Sequence, residues 1–304
     1  VSADGGTRAV IAALGANLGI AVSKFVAFGI TGSSSMLSEA VHSVADSGNQ
    51  VLLLFGGKRS KRSASDRHQF GYGRVRYLYG FVVSIVLFLV GGVFAVYEGT
   101  HKIQHPEEVG DSRVALGVLM VAIVLESLSF RTAIREANHA RGERSLLGFV
   151  RDSRQPELPV ILLEDAGALV GLVFALFGVT MATVTGDARW DGMGAIAIGA
   201  LLVCIATFLA AEMSSLLVGE AAIPAQEQAI REALVAAPLV RRLIHLRTLH
   251  VGPDELLVAA KIAIDPASTA EQIALGIDAA EQALRDRVPT AKYVFLEPDI
   301  ERAG

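Results

Sequence analysis

The sequence predicts an α-helical membrane protein of six transmembrane helices, followed by a small cytoplasmic α+β domain. Three observations predict it. The 304-residue chain is 52% hydrophobic and only 19% charged, and its mean hydropathy is +0.48, a balance that points to membrane-embedded sequence. The apolar residues are gathered into long blocks, each near the roughly 20 residues a helix needs to cross a bilayer. After residue 220 the blocks stop and short helical and alternating periods take over, as in a water-facing domain.

The blocks run at about 9–30, 34–57, 77–100, 113–133, 160–184 and 192–218, which sets a membrane domain over 1–219 and a tail over 220–304. The connections fix the orientation. The second carries Lys58, Arg59, Lys61, Arg62, Arg67, Arg74 and Arg76, and the fourth carries Arg131, Arg135, Arg141, Arg144, Arg151 and Arg154. The first, Thr31 to Ser34, has no charge, and the third, THKIQHPEEVGDS, leans acidic. The positive-inside rule puts the second and fourth connections in the cytoplasm, and with six spans both termini join them. Trp190 in the fifth connection suits an interfacial anchor as well as it suits a packed loop. The Ala, Val, Gly and Arg-rich composition and short loops point to a bacterial plasma membrane.

In the tail, PAQEQAIREALVA (224–236) places Ile230, Leu234 and Val235 at helical spacing behind Pro224, a first-turn residue. VRRLIHLRTLH (240–250) and LLVAAKIAI (256–264) read as strands around the turn VGPDE, and AKYVFLEP reads as a third strand. Between the last two, Ser268 or Thr269 offers an N-cap for a helix to about Arg287. The order is α-β-β-α-β, a ferredoxin-like layer with helices on one face of a sheet. About 80 residues make a marginal domain, so packing against a second copy, a homodimer, is expected.

Composition excludes several function classes. A net charge of -4 gives no footing for a nucleic-acid partner. The single cysteine, Cys204, allows neither an intrachain disulfide nor a cysteine-cluster metal site. No His-Glu-x-x-His run supports an intramembrane metalloenzyme, so no enzyme is expected.

The informative residues are charges inside the apolar blocks. Each costs roughly 3 kcal/mol on insertion scales and marks function by default. In SEAVHSVADSGNQ (38–50), His42 and Asp46 are four apart and share one helix face, with Glu39 a turn nearer the outside. An imidazole and a carboxylate at that spacing can hold one divalent cation, and Zn²⁺ accepts both donor types. The alternative is an intramembrane hydrogen-bonded pair. In PVILLEDAGALVG, Glu164 and Asp165 lie about a turn inside the fifth block; the alternative there is a helix-start pair favoured by the dipole. Asn49 reads as a helix–helix hydrogen-bonding residue or part of the pathway. Asn17 likewise reads as a helix–helix hydrogen-bonding residue, and Glu126, being charged, as a gate or packing partner.

GSSSMLSEAVHSVADSGNQ, then HQFGYGRVRYLYGF, six blocks and an α-β-β-α-β tail resemble the cation diffusion facilitator family over nearly the whole chain. LLEDAGAL is similar to the branch that contains the ninth human zinc transporter. The resemblance implies a homodimeric transporter moving Zn²⁺ out of the cytoplasm in exchange for protons, with Mn²⁺, Fe²⁺, Co²⁺ or Cd²⁺ left open. It implies His42, Asp46 and Asp165 as transport-site ligands. The family's remaining ligand position, four before Asp165, is Ile161, which cannot ligate; Glu164 or water would complete the set. Asp66 and His68 match a second family site after the second span, where Tyr72 replaces a third ligand. His245, His250, Glu297 and Asp299 are the tail's candidates for a third, and a solvated strand end is the competing reading. A metal-binding imidazole must be neutral and a carboxylate ionised, so metal and protons compete. With imidazole titrating near pH 6.5 when unperturbed, protons from the outer side would displace the ion as the spans rock. A non-transporting metal-sensing or scaffold dimer is the alternative that Ile161 favours.

Overall fold

A computed structural model of the chain describes residues 3–106, 112–142 and 145–300. The acidic stretch 107–111 and Arg144 lie outside them. The chain divides into two compact units, Val1–Arg59 with Tyr77–Ser214, and Ser60–Arg76 with Ser215–Gly304. The basic connection after the second helix therefore groups with the tail.

The first unit is built on six long helices among the described residues: α1 (Ala3–Thr31), α2 (Ser34–Ser60), α3 (Val75–Gln104), α4 (Ser112–Arg141), α6 (Glu157–Thr185) and α7 (Arg189–Val218), with a short α5 (Leu146–Asp152) before α6. Four of them, α3, α4 from Ala115, α6 and α7, are long and apolar enough to cross a membrane. The described apolar part of α1 includes Asn17–Thr31. The polar face of α2, Ser34, Ser35, Ser38, Glu39, His42, Ser43, Asp46, Ser47, Asn49 and Gln50, is buried. That face lowers its hydropathy, because a helix whose polar side points into a bundle need not be apolar all round.

The helices overrun the expected blocks. Residues 131–141 continue α4 and 146–152 form α5, where the sequence reading had a connection over about 131–158. Strong helix formers such as Ala, Arg and Glu extend the element past its apolar part. Gly32, at φ 64°, closes α1 through its N–H to the Phe28 carbonyl (2.8 Å), so α2 begins within two residues. Within α3, residues Leu87–Val93 are π-helical.

A core of Ile20, Met36, Leu53, Leu87, Leu119, Ile161 and Leu172, among others, fills the unit. α4 packs along both α6 and α1. α3 and α7 meet through glycines: a Cβ at Gly99 would lie 2.5 Å from the Gly192 carbonyl, and one at Gly199 2.7 Å from the Gly92 carbonyl. Close approach through small residues is how helices associate where no hydrophobic effect drives them.

The second unit contains α8 (Pro224–Val235), β1 (Arg242–Gly252), β2 (Glu255–Ile264), α9 (Ala270–Arg287) and β3 (Ala291–Ile300). The sheet order is β1-β2-β3, with β1 and β2 antiparallel and β2 and β3 parallel. The parallel pair requires a crossover, which α9 supplies. Thr269 caps α9 in a capping box with Gln272. α8 and α9 pack on each other and bury Ile230, Leu234, Val258 and Leu284 between helices and sheet. The segment 60–76 contributes Phe70, whose ring meets Tyr293 edge-on at 5.1 Å, and Arg76, 3.3 Å from Asp254.

Candidate metal-transport site

His42 and Asp46 project from one face of α2, as their spacing requires, and are 0% and 3% exposed. Nε2 of His42 lies 3.4 Å from Oδ2 of Asp46. Neither ring nitrogen, nor Oδ1 of Asp46, has a hydrogen-bond partner. Buried polar atoms are almost always paired, so three orphans on two neighbouring side chains call for an explanation.

α6 brings its two carboxylates to the same region. Asn49 Nδ2 donates to Glu164 Oε1 at 2.6 Å, which ties α2 to α6, while Glu164 Oε2 is unpaired. Ser129 of α4 donates to Asp165 Oδ2 at 2.9 Å. Glu164, Asp165 and Glu126 of α4 all act electrostatically on Asp46. Even so, among the described residues no three His, Cys, Asp or Glu side chains converge closely enough to hold a metal ion. The α2 pair and the α6 pair are neighbours, not a closed shell. Ile161 is buried in the apolar core one turn before Asp165. The π-helical part of α3 also borders the site, since a Cβ at Gly91 would lie 3.8 Å from His42 Nδ1; π-segments often mark functional positions.

Sequence reasoning missed two charged residues here. Lys24 of α1 is fully buried, with Nζ 2.9 Å from Glu39 Oε2 and 3.0 Å from Ser43 Oγ. A lysine inside the first apolar block was the signal that could have found it. Asp191 of α7 caps α2 from another helix. It accepts from Ser33 Oγ (2.9 Å), the Ser34 N–H (2.8 Å) and the Ser35 N–H (3.3 Å), while Ser34 Oγ donates to Glu98 of α3 (2.9 Å).

The other candidates lie in the second unit. Asp66 and His68 share one exposed turn closed by backbone hydrogen bonds between Ser65 and His68, and the Tyr72 ring is 4.6 Å from that of His68. His245, Lys261 and Glu297 form a row across the sheet by register. The Lys261 ammonium sits 3.2 Å from Glu297 and 3.1 Å from Asp299. Its hydrogen bonds to Asp299 and then Glu297 raise its pKa above the usual lysine value. One ammonium is thus shared between two carboxylates and occupies the space between them. His250 is buried, 1% exposed, and its N–H bonds the Glu220 carbonyl, away from that row.

A bundle of long helices, four of them apolar enough to span, with ionisable side chains facing one another in its interior, defines a polytopic membrane protein of the cation-handling kind. The family model for the cation efflux transmembrane domain matches residues 10–218, and the chain belongs to that family, the cation diffusion facilitators. The proton-coupled zinc antiporter SLC30A9, mitochondrial, of Xenopus laevis is 31% identical over 80% of this chain and 44% of its own length. This chain therefore spans about half the length of that relative. The cation-efflux pump FieF of Pectobacterium atrosepticum is 27% identical over 97% of this chain and 93% of its own. Among solved structures, a MamM-CTD chain is 29% identical over 26% of this chain and 94% of its own, at a TM-score of 0.25. The homologues are transporters, not enzymes.

Proposed function

We propose that the chain exports a divalent cation, with zinc as the first candidate, in exchange for protons, using His42 and Asp46 of α2 with Asp165 and Glu164 of α6. The observation that carries this reading is the set of orphaned atoms on His42 and Asp46, in a bundle interior where two more buried carboxylates act on Asp46. The zinc antiporters among the relatives support the choice of ion and counter-ion. One nitrogen donor among oxygens also suits zinc better than an all-oxygen set does.

Charge balance supplies the coupling. Unneutralised carboxylates are costly inside a bilayer, so either protons or a divalent ion must balance the cluster. Binding the ion needs a neutral imidazole and ionised carboxylates, so loading releases protons and protonation expels the ion. α2 and α6 supply opposite halves of the ligand set. Closing them around the ion, then reopening on the other side, is the rocking motion that alternating access requires. In this reading all six long helices span, and the tail lies on the side of the basic connections, the cytoplasmic side of a bacterial membrane. The chain works as a homodimer.

The test is zinc flux into proteoliposomes under an imposed pH gradient. H42A and D46A are expected to lower the rate at least 100-fold, the scale of losing a metal ligand. Wild-type rates in both variants would sink the assignment. A second reading, a metal-binding dimer that does not transport, draws on buried Ile161 where a ligand would complete the shell. It predicts zinc binding by the purified protein with no flux.

A further inference from the structure

We infer that Lys24 is a tethered cation that sets how tightly the buried site holds a divalent ion. The inference rests on the transport-site reading above and adds a residue to it. Five carboxylates, from Glu39, Asp46, Glu126, Glu164 and Asp165, are buried in the bundle. Their summed negative charge would favour holding a divalent ion over letting it go, and conduction needs a site that binds and also releases.

Lys24 is placed to prevent this. Its ammonium is held by Glu39 at 2.9 Å and Ser43 at 3.0 Å, and Ser43 is the residue after His42. Its field reaches His42, Asp46 and Glu126. The pair is also wedged. Glu39 Oε1 has no hydrogen-bond partner and lies where a Cβ on Gly171 would come within 2.6 Å, so a larger residue there would push the carboxylate aside. An ion pair in this position contributes little net stability, because desolvating two charges offsets their attraction. Its effect falls instead on the next charge to arrive. A cation at His42 and Asp46 meets a like charge about a helical turn away, which weakens its binding and favours its departure past Glu39. Neutralising Glu39 for packing, the purely structural role, predicts no such sign.

A charge cycle separates the two. Zinc dissociation constants are measured by calorimetry at one pH on purified full chain in detergent, for wild type, K24Q, E39Q, K24Q/E39Q, K24R and D46A, each first checked for a monodisperse profile. K24Q is expected to bind about tenfold more tightly than wild type and E39Q about tenfold more weakly, the scale of one charge at that range in a partly polarisable interior. The double variant returns to within about threefold of wild type, and K24R, which keeps the charge, shows no tightening. If K24Q binds no more tightly than wild type while D46A loses binding, the Lys24 inference is overturned and the site stands. If D46A binds as wild type does, the site reading fails and the inference with it. Should K24Q fail to fold, E39Q against the double variant carries the same comparison: tenfold tighter binding by the double supports the inference, and equal affinity overturns it.

Discussion

At the scale of the residue, Glu164 has two roles to separate. It receives a hydrogen bond from Asn49 that links α2 to α6, and it offers a free oxygen beside the α2 pair. E164Q keeps an oxygen that Asn49 can donate to but loses the charge. If Glu164 is a ligand, the KM for zinc rises about tenfold in vesicles, the usual cost of weakening one ligand. An unchanged KM makes it a helix link, with Asp165 and water completing the shell. His42, Asp46, Glu164 and Asp165 were legible in the sequence because charge inside an apolar block is rare for energetic reasons. Lys24 carried the same signal, but its pairing was not legible, because Glu39 stands 15 residues away on another helix and no periodicity relates them. In the tail, the proximity of Glu297 and Asp299 was legible, but the Lys261 between them emerges only from strand register. Its raised pKa keeps the ammonium charged through neutral pH, so on the lysine side the link is lost as the pH climbs past the folded value.

At the scale of the element, the N-terminus of α2 is held from outside by Asp191. Its carboxylate satisfies the Ser34 and Ser35 N–H groups that a helix start leaves open, so one side chain both caps α2 and joins it to α7. D191A removes the acceptor of two backbone N–H groups and one hydroxyl at a buried site. It should destabilise the purified protein by about 2 kcal/mol in detergent, within the range for a lost cap or buried hydrogen bond. Thermal unfolding followed by circular dichroism measures this, and an unshifted midpoint would remove the latch from the account. Asp191 was not legible because GDARWDG reads as a polar connection; its role depends on α7 starting beside the end of α1. The helix count and most boundaries followed from block length and turn residues. The extra turns of α4 did not, because hydropathy marks where a helix can sit in lipid, not where its backbone hydrogen bonds stop.

At the scale of the whole molecule, the helices of the tail cover one face of its sheet, and β3 leaves Phe295 56% exposed beside the Lys261 row. On the homodimer reading proposed above, an exposed aromatic at this part of the sheet suits a contact with a second copy of the chain. If the chain is a homodimer through this face, F295D is expected to weaken that association at least tenfold, read as a shift from dimer to monomer by light scattering at micromolar concentration; a monomeric wild type or an unchanged mass in F295D would contradict it. The tail's α-β-β-α-β order was legible from alternation and turns. The grouping of 60–76 with it was not, since Phe70 and Arg76 reach their partners only through the fold. The central claim is that one buried cluster exchanges a metal ion for protons. Its most direct measurement is the internal pH of proteoliposomes, with no imposed proton gradient, on addition of a zinc gradient. Wild-type protein is expected to move protons opposite to zinc, and D46A to move neither. Zinc flux with no change in internal pH, or proton movement that persists in D46A, would contradict it.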